Sequence, residues 1–302
     1  MADMHFDRNF DAVPGEVVRL SSRVRRVLCD NPGPFTFKGT STFIIGNGDV
    51  AIVDPGPDSD RHFSILKDAL RNETVTHILI THTHADHSPL AARLKAATAA
   101  KTYGYGPHGS GRADSGPRAD ASADLAFVPD VRLRHGDGIS GKQWTIDAVF
   151  TPGHTSNHMA FGLREEKTLF CGDHVMAWAT SVIAPPDGHM GSYMNSLRLL
   201  LDRDDTIYFP THGPEVRLPK SLVRAYIAHR RMREEAIVAR LAEGERTIAE
   251  IVKANYAGLD PRLHGAAALS TQAHLEHLIE NGKVAADGPP TADGEYRLKS
   301  PA

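Results

Sequence analysis

The run Thr81-His82-Thr83-His84-Ala85-Asp86-His87 constrains this chain more than any other stretch. It puts three imidazoles and a carboxylate into six consecutive positions. Imidazole and carboxylate are the ligands of a zinc ion that does chemistry rather than bracing a fold. The apolar, β-branched run Val75-Thr76-His77-Ile78-Leu79-Ile80 just before it reads as a buried strand. Ser88-Pro89 just after it reads as a helix start, with Ser88 as N-cap and Pro89 at the first helical position. The ligand-type residues therefore lie in a strand-to-helix loop, at the carboxyl end of a strand, where layered α/β proteins often carry active sites. In extended chain, residues two apart point the same way, so His82 and His84 can reach one metal together. Asp86 and His87 follow once the chain turns and can point at a second.

Three further loops repeat the pattern. Asp147-Ala148-Val149-Phe150 leads to Thr151-Pro152-Gly153-His154-Thr155, Thr168-Leu169-Phe170-Cys171 to Gly172-Asp173-His174, and Thr206-Ile207-Tyr208-Phe209-Pro210 to Thr211-His212-Gly213. Each is a strand, then a glycine-containing loop with a ligand-type residue, and glycine lets backbone approach a metal or substrate closely.

The series His82-x-His84-x-Asp86-His87, then His154, Asp173 and His212, resembles the metal-binding set of the metallo-β-lactamase fold superfamily. Val50-Ala51-Ile52-Val53-Asp54-Pro55-Gly56 resembles that superfamily's first motif, whose aspartate orients the metal loop without being a ligand. Gly172-Asp173-His174-Val175-Met176, Tyr193-Met194-x-Ser196-Leu197 and Tyr226-Ile227-Ala228-His229-Arg230-Arg231 are similar to hydrolases of the beta-lactamase-like protein 2 type. The resemblance implies an α+β fold: an αββα sandwich over residues 1–215, followed by a helical linker and small winged-helix domain over 216–302. In the C-terminal part Thr247 can cap a helix through 248–252, and Ala273, Leu275, Leu278 and Ile279 are candidate buried positions of a longer helix stopped by Gly282. Lys283-Val284-Ala285 and Tyr296-Arg297-Leu298 then form a small hairpin.

The resemblance also implies the chemistry. His82, His84 and His154 hold one Zn2+; Asp86, His87 and His212 hold a second; Asp173 bridges them. A metal-bridging hydroxide, made from water whose pKa a bound zinc lowers from 15.7 to about 7, attacks the substrate. The expected catalytic residues are Asp86, itself a ligand, and His158, which acts either as a proton donor or as a group that orients a ligand. Iron or manganese could fill the same ligand set. The expected function is hydrolysis of an ester, thioester or lactone-type small molecule. The alternative is single-strand-specific endoribonuclease activity, and a third reading is a non-catalytic regulator acting through the winged helix, against which the intact ligand set argues. Residues 217–302 carry 13 Lys or Arg against 11 Asp or Glu, a weak footprint for a phosphate-binding module, and no aromatic row for stacking bases. The winged helix then packs on the metal domain, closes one side of the cleft or forms a homodimer.

Composition fits this reading. The net charge is −3 and cysteines number two, Cys29 and Cys171, so a reducing, cytoplasmic compartment is expected. The polar start lacks the character of a signal peptide, and no run of about 18 apolar residues predicts a membrane span. Residues 104–124 read as an aperiodic loop, either solvated surface or a flap bringing His108 towards substrate. Met176, Trp178 and Met190 read either as core or as an apolar wall of the cleft, His174 as structural, and His189 as a solvated loop residue. Arg230 with Glu234, and Arg231 with Glu235, have the spacing of intrahelical pairs on a solvated face, with phosphate binding by these arginines as the alternative.

Overall fold

The computed structural model describes residues 6–112, 122–258 and 263–299. Strands β1 (Val17–Arg19), β2 (Val24–Leu28), β3 (Ser41–Asn47), β4 (Asp49–Val53), β5 (Thr74–Leu79), β6 (Lys101–Gly104) and β7 (Val131–Arg132) form a seven-stranded sheet in sequence order. Pairing is antiparallel as far as β4 and parallel from β4 onwards. Strands β8 (Gly138–Ser140), β9 (Thr145–Phe150), β10 (Met159–Leu163), β11 (Thr168–Gly172) and β12 (Ile207–Pro210) form a second sheet, in which only β11 and β12 run parallel.

Side chains alternate across a strand, and both faces of the central strands are apolar here. Phe43, Ile45, Ala51, Val53 and Leu79 point between the sheets and meet Ile146, Ala148, Met159, Phe161, Phe170 and Phe209. Their neighbours Ile44, Ile52 and Ile78 point outward onto Leu66 of α1 (Asp60–Ala69) and Leu90 and Leu94 of α2 (Leu90–Thr98). On the far face of the second sheet, Val149, Ala160, Leu169 and Tyr208 pack against Tyr193, Leu197 and Leu200 of α3 (Met190–Asp202). The result is the expected αββα sandwich. Each fully buried Val, Leu, Ile or Phe contributes about 1.5–3 kcal/mol, so the strands' near-continuous apolar runs fix the layer order.

The long helix α4 (Pro219–Glu243) belongs to two cores. Val223, Tyr226 and Ile227 join the layer under the second sheet, whereas Ile237 and Leu241 join a separate cluster. That cluster is completed by Ile248, Ile251 and Val252 of α5 (Ile248–Asn255), Leu275 and Leu278 of α6 (His264–Glu280), and Val284 and Tyr296 of the hairpin β13 (Val284–Ala286) and β14 (Tyr296–Leu298). Thr247 caps α5 in a reciprocal capping box with Glu250, which satisfies two backbone donors that the helix cannot. Among the described residues no helix is long and apolar enough to cross a membrane.

Two local expectations are corrected. Ser88 is not an N-cap: Pro89, with helical dihedrals, occupies the cap position and no side chain caps α2. The Ser88 hydroxyl donates to Asp124 instead, at 2.7 Å, and the Leu90 amide is satisfied by the Gly56 carbonyl at 3.1 Å. Arg230 and Glu234 do not lie on a solvated face either; Arg230 is buried, and Glu234 bonds His277 of α6 at 2.7 Å.

Candidate metal centre

Five loops leave the carboxyl ends of β4, β5, β9, β11 and β12 and meet at one end of the sandwich. Backbone bonds tie them together. The Ser41 amide donates to the Thr211 carbonyl, Met159 to Thr81, and Thr211 to Gly172, at 2.8, 2.7 and 3.2 Å. Gly172 permits a close approach of two of these loops. Its φ is +53°, and a Cβ there would lie 2.5 Å from His158 Nε2 and 3.0 Å from Thr81.

All seven residues expected to bind metal converge here. Ligand atoms of His82, His84 and His154 lie within 4.8 Å of one another, as do those of Asp86, His87 and His212, and those of His82, His87 and Asp173. His84 Nδ1 is 3.0 Å from His82 Nε2 and 3.1 Å from His154 Nε2. Nitrogens bound at 2.0–2.1 Å to one tetrahedral zinc sit about 3.3 Å apart, so this trio fits a shared ion with little movement. Asp173 stands between the groups: Oδ2 is 3.6 Å from His87 Nε2 and 3.7 Å from His154 Nε2, and Oδ1 is 3.5 Å from His212 Nε2. Asp86 Oδ2 lies 3.0 Å from His212 Nε2.

The outer nitrogens set which atom faces inward. His154 Nδ1 donates to the Val182 carbonyl at 2.6 Å and His212 Nδ1 to the Gly39 carbonyl at 3.0 Å. His87 Nδ1 donates to Asp54 Oδ2 at 2.9 Å. A carbonyl or carboxylate can only accept, so in the neutral form of each ring the lone pair is on Nε2, facing the centre. Asp54 is fully buried in a left-handed conformation, φ +48°. It also receives the Thr81 amide and hydroxyl at 2.8 and 2.7 Å and the Thr211 hydroxyl at 3.1 Å. It faces the ligand loops and offers no atom to the cluster itself.

His87 Nε2, His212 Nε2 and Asp173 Oδ1 are buried with no hydrogen-bond partner. Each such atom costs about 1–3 kcal/mol, a penalty that a cation coordinated by all three relieves. Charge divides the cluster. Burial, reinforced by neighbouring imidazoles, holds His82 well below the ordinary histidine pKa and His154 down at about 4. At His212 burial opposes protonation, but Asp173 and Asp86 outweigh it and lift the ring to about 10; His87 is raised by Asp86, Asp173 and Asp54 against the same opposition. Burial would raise Asp86 and Asp173, yet the facing imidazoles hold both below the usual carboxylate range. Protons and a cation compete for these lone pairs, so metal binding releases protons. The residues present therefore fit divalent metal.

His158 lies behind this cluster. Its ring is buried, Nδ1 contacts the Thr151 hydroxyl at 2.9 Å, and Nε2 accepts the Asp173 amide N–H at 3.3 Å. Both ring nitrogens are thus engaged by the protein, one of them by the backbone of Asp173. His174 is buried against Tyr193, ring centroids 4.6 Å apart. His189 is not a solvated loop residue: it caps α3 and pairs with Glu280 of α6 at 2.7 Å. Met190 is core and Met176 is buried. Trp178, by contrast, stacks on Phe37 at 4.8 Å and lies against Gly213 beside His212; nothing in the sequence marked Phe37. His108 contacts the Thr83 hydroxyl at 3.0 Å, between two ligands, and Asn157 donates to the same hydroxyl and to the Gly106 carbonyl. Of the 104–124 loop, residues 113–121 lie outside the described residues.

A layered sandwich whose strand ends gather histidines and aspartates in this order defines a class of metal-dependent hydrolases. Residues 35–212 match the metallo-beta-lactamase superfamily, and the chain belongs to it. Residues 247–291 match the beta-lactamase associated winged helix domain. The chain is 33% identical to a beta-lactamase-like protein 2 homolog of Caenorhabditis elegans, covering 89% of this chain and 88% of the relative. It is 30% identical to an atrochrysone carboxyl ACP thioesterase of Aspergillus terreus, over 94% and 87%. A beta-lactamase domain protein of Burkholderia ambifaria shares the fold, with a TM-score of 0.79 and 23% identity over 97% of each chain.

Proposed function

We propose that this hydrolase binds two divalent metal ions, zinc by preference, and cleaves a small ester or thioester. The observation that carries the reading is the convergence of seven ligand-type side chains into two adjoining groups with Asp173 between them. Thioesters are favoured among carbonyl substrates because the Aspergillus terreus relative, aligned over most of both chains, is named a thioesterase. A cytoplasmic location belongs to the same reading, supported by Cys29 and Cys171, both buried and free.

His82, His84 and His154 would hold one ion and Asp86, His87 and His212 the other, with Asp173 shared. Bound there, the metals supply Lewis acidity and a water acidified to a pKa of about 7. The chain's own part is orientation. Asp54, Gly39 and Val182 keep three rings turned inward, and His158 fixes the Asp173 backbone. His84, Asp86 and His154 are the partly exposed members of the set, so substrate approaches over them. Asp86 faces this open side as a carboxylate, held in that form by His87 and His212 against the effect of burial.

The test is metal analysis joined to paired assays of an acyl thioester and single-stranded RNA, with His82→Ala and Asp86→Ala beside the wild type. The expected outcome is two metals per chain, thioester turnover that both substitutions abolish, and no RNA cleavage. RNA cleavage lost in both variants, without thioester turnover, would replace the substrate class.

A further inference from the structure

Arg230 on α4 is 3% exposed, and among the described residues no carboxylate pairs with it. A guanidinium removed from water without an acidic partner is costly, so its contacts carry the explanation. The group sits 5.3 Å from the centre of the Tyr193 ring, and Nη2 donates to the Ser181 carbonyl at 2.5 Å. The Ser181 hydroxyl in turn donates to the His174 carbonyl at 2.7 Å. The next residue, Val182, presents the carbonyl that receives His154 Nδ1–H. One turn earlier on the same helix, the Tyr226 hydroxyl accepts the Met176 amide at 3.2 Å and faces the carbonyls of Met176 and Ala179 at 2.7 and 2.6 Å. Helix α4 thus grips the segment 176–181 at two points spaced i and i+4, one face of the helix.

We propose that Arg230 is a positioning residue for the metal centre, holding Ser181 so that the adjoining Val182 carbonyl fixes the His154 ring with Nε2 facing His84 and Asp173. The inference rests on the metal-centre reading above. It couples the helix that enters the winged-helix core to the ligand trio His82, His84 and His154. Arginine suits the task because its donors lie in a rigid fork at the end of a long apolar stem, and a charged donor strengthens the bond to a carbonyl.

The test measures zinc affinity of the full-length apo chain by competition with a chromogenic chelator, and the visible absorption of the cobalt(II)-loaded chain. Arg230→Met keeps the stem and removes the donors; Arg230→Lys keeps one charged donor; Tyr226→Phe removes one hydroxyl and little volume. Glu234→Gln serves as the control, on the same helix but contacting α6 rather than the loop. Partners that orient metal ligands typically contribute about 10–100-fold to affinity. The expected result is a loss of that size in Arg230→Met with an altered cobalt spectrum, recovery in Arg230→Lys, and wild-type behaviour in Glu234→Gln. If Arg230→Met does not fold, Tyr226→Phe must weaken zinc in the same direction. Wild-type affinity and spectrum in the folded Arg230 or Tyr226 variant, or an equal loss in Glu234→Gln, overturns the inference. A wild-type chain that binds no divalent metal overturns the metal-centre reading itself.

Discussion

Two regions of this molecule concentrate histidines and carboxylates, and only one is built to hold metal. At the strand ends, the ligand atoms of five histidines and two aspartates point at common positions. Between α4 and α6, His274, His277 and Glu234 also cluster, with His189 and Glu280 nearby. There two histidines are satisfied in pairs, His277 with Glu234 at 2.7 Å and His189 with Glu280 at 2.7 Å, while His274 Nδ1 stands 3.5 Å from the same Glu234 without a hydrogen bond. Among the described residues, every set of three convergent ligand atoms belongs to the first region. The difference lies in the second nitrogen of each ring. Asp54, Gly39 and Val182 accept from the outer nitrogens of His87, His212 and His154 and leave the inner ones facing the common cluster. Residue type makes a ligand available, and the partner behind it decides where it points.

Removing a member of each cluster breaks the comparison most sharply. Asp173→Ala should abolish turnover and take metal content below two ions per chain, a loss exceeding the roughly 100-fold upper range for orienting partners; metal analysis and steady-state kinetics read it. Asp54→Asn leaves every proposed ligand in place but weakens the acceptor for His87 and Thr81. Its zinc affinity should fall about 10–100-fold, measured by chelator competition, with the ligand count unchanged. The smallest effect belongs to the second cluster. Both ring nitrogens of His274 are buried without hydrogen bonds, and burial pushes its pKa down to about 4 despite Glu234. The unfolded chain, with the ordinary value of 6.5, takes up this proton first. The stability His274 contributes as a neutral ring is therefore present above pH 6.5 and lost as pH falls to about 4. His274→Met should be close to neutral at pH 7, because the ring makes no hydrogen bond to lose. It should flatten the decline between pH 6.5 and 4, as read by urea unfolding of the apo chain; an unchanged pH slope would remove His274 from the acid response.

The legible part of this protein was its chemistry-bearing loops and the strands that deliver them. Apolar runs ending in Asp54, His82, His154, Asp173 and His212 stand out because a strand buried on both faces has little choice of residue, and ligand types in the loops contrast with it. Thr247 as a helix cap was visible for a similar local reason: Glu250 three residues on completes the box. Signals that depend on a distant partner misled. Ser88-Pro89 looks like a helix start, yet Asp124, brought in by the chain following β6, claims the hydroxyl. Arg230 and Glu234 have the spacing of a surface pair, but α4 passes beneath the metal loops and buries Arg230 against Ser181 and Tyr193.

The sequence by itself marked the loops rich in ligand-type residues and the strands that deliver them, because periodicity and loop chemistry are local properties of a chain; its resemblance to the superfamily implied the layer order, the ligand set and the C-terminal winged helix. Only the tertiary structure decided that His158 serves the Asp173 backbone, that Phe37 stacks on Trp178 beside His212, and that α4 reaches the His154 loop through Arg230. Each of these joins residues far apart in the chain, and a side chain's role there is set by which backbone groups the packed layers leave in need of a partner.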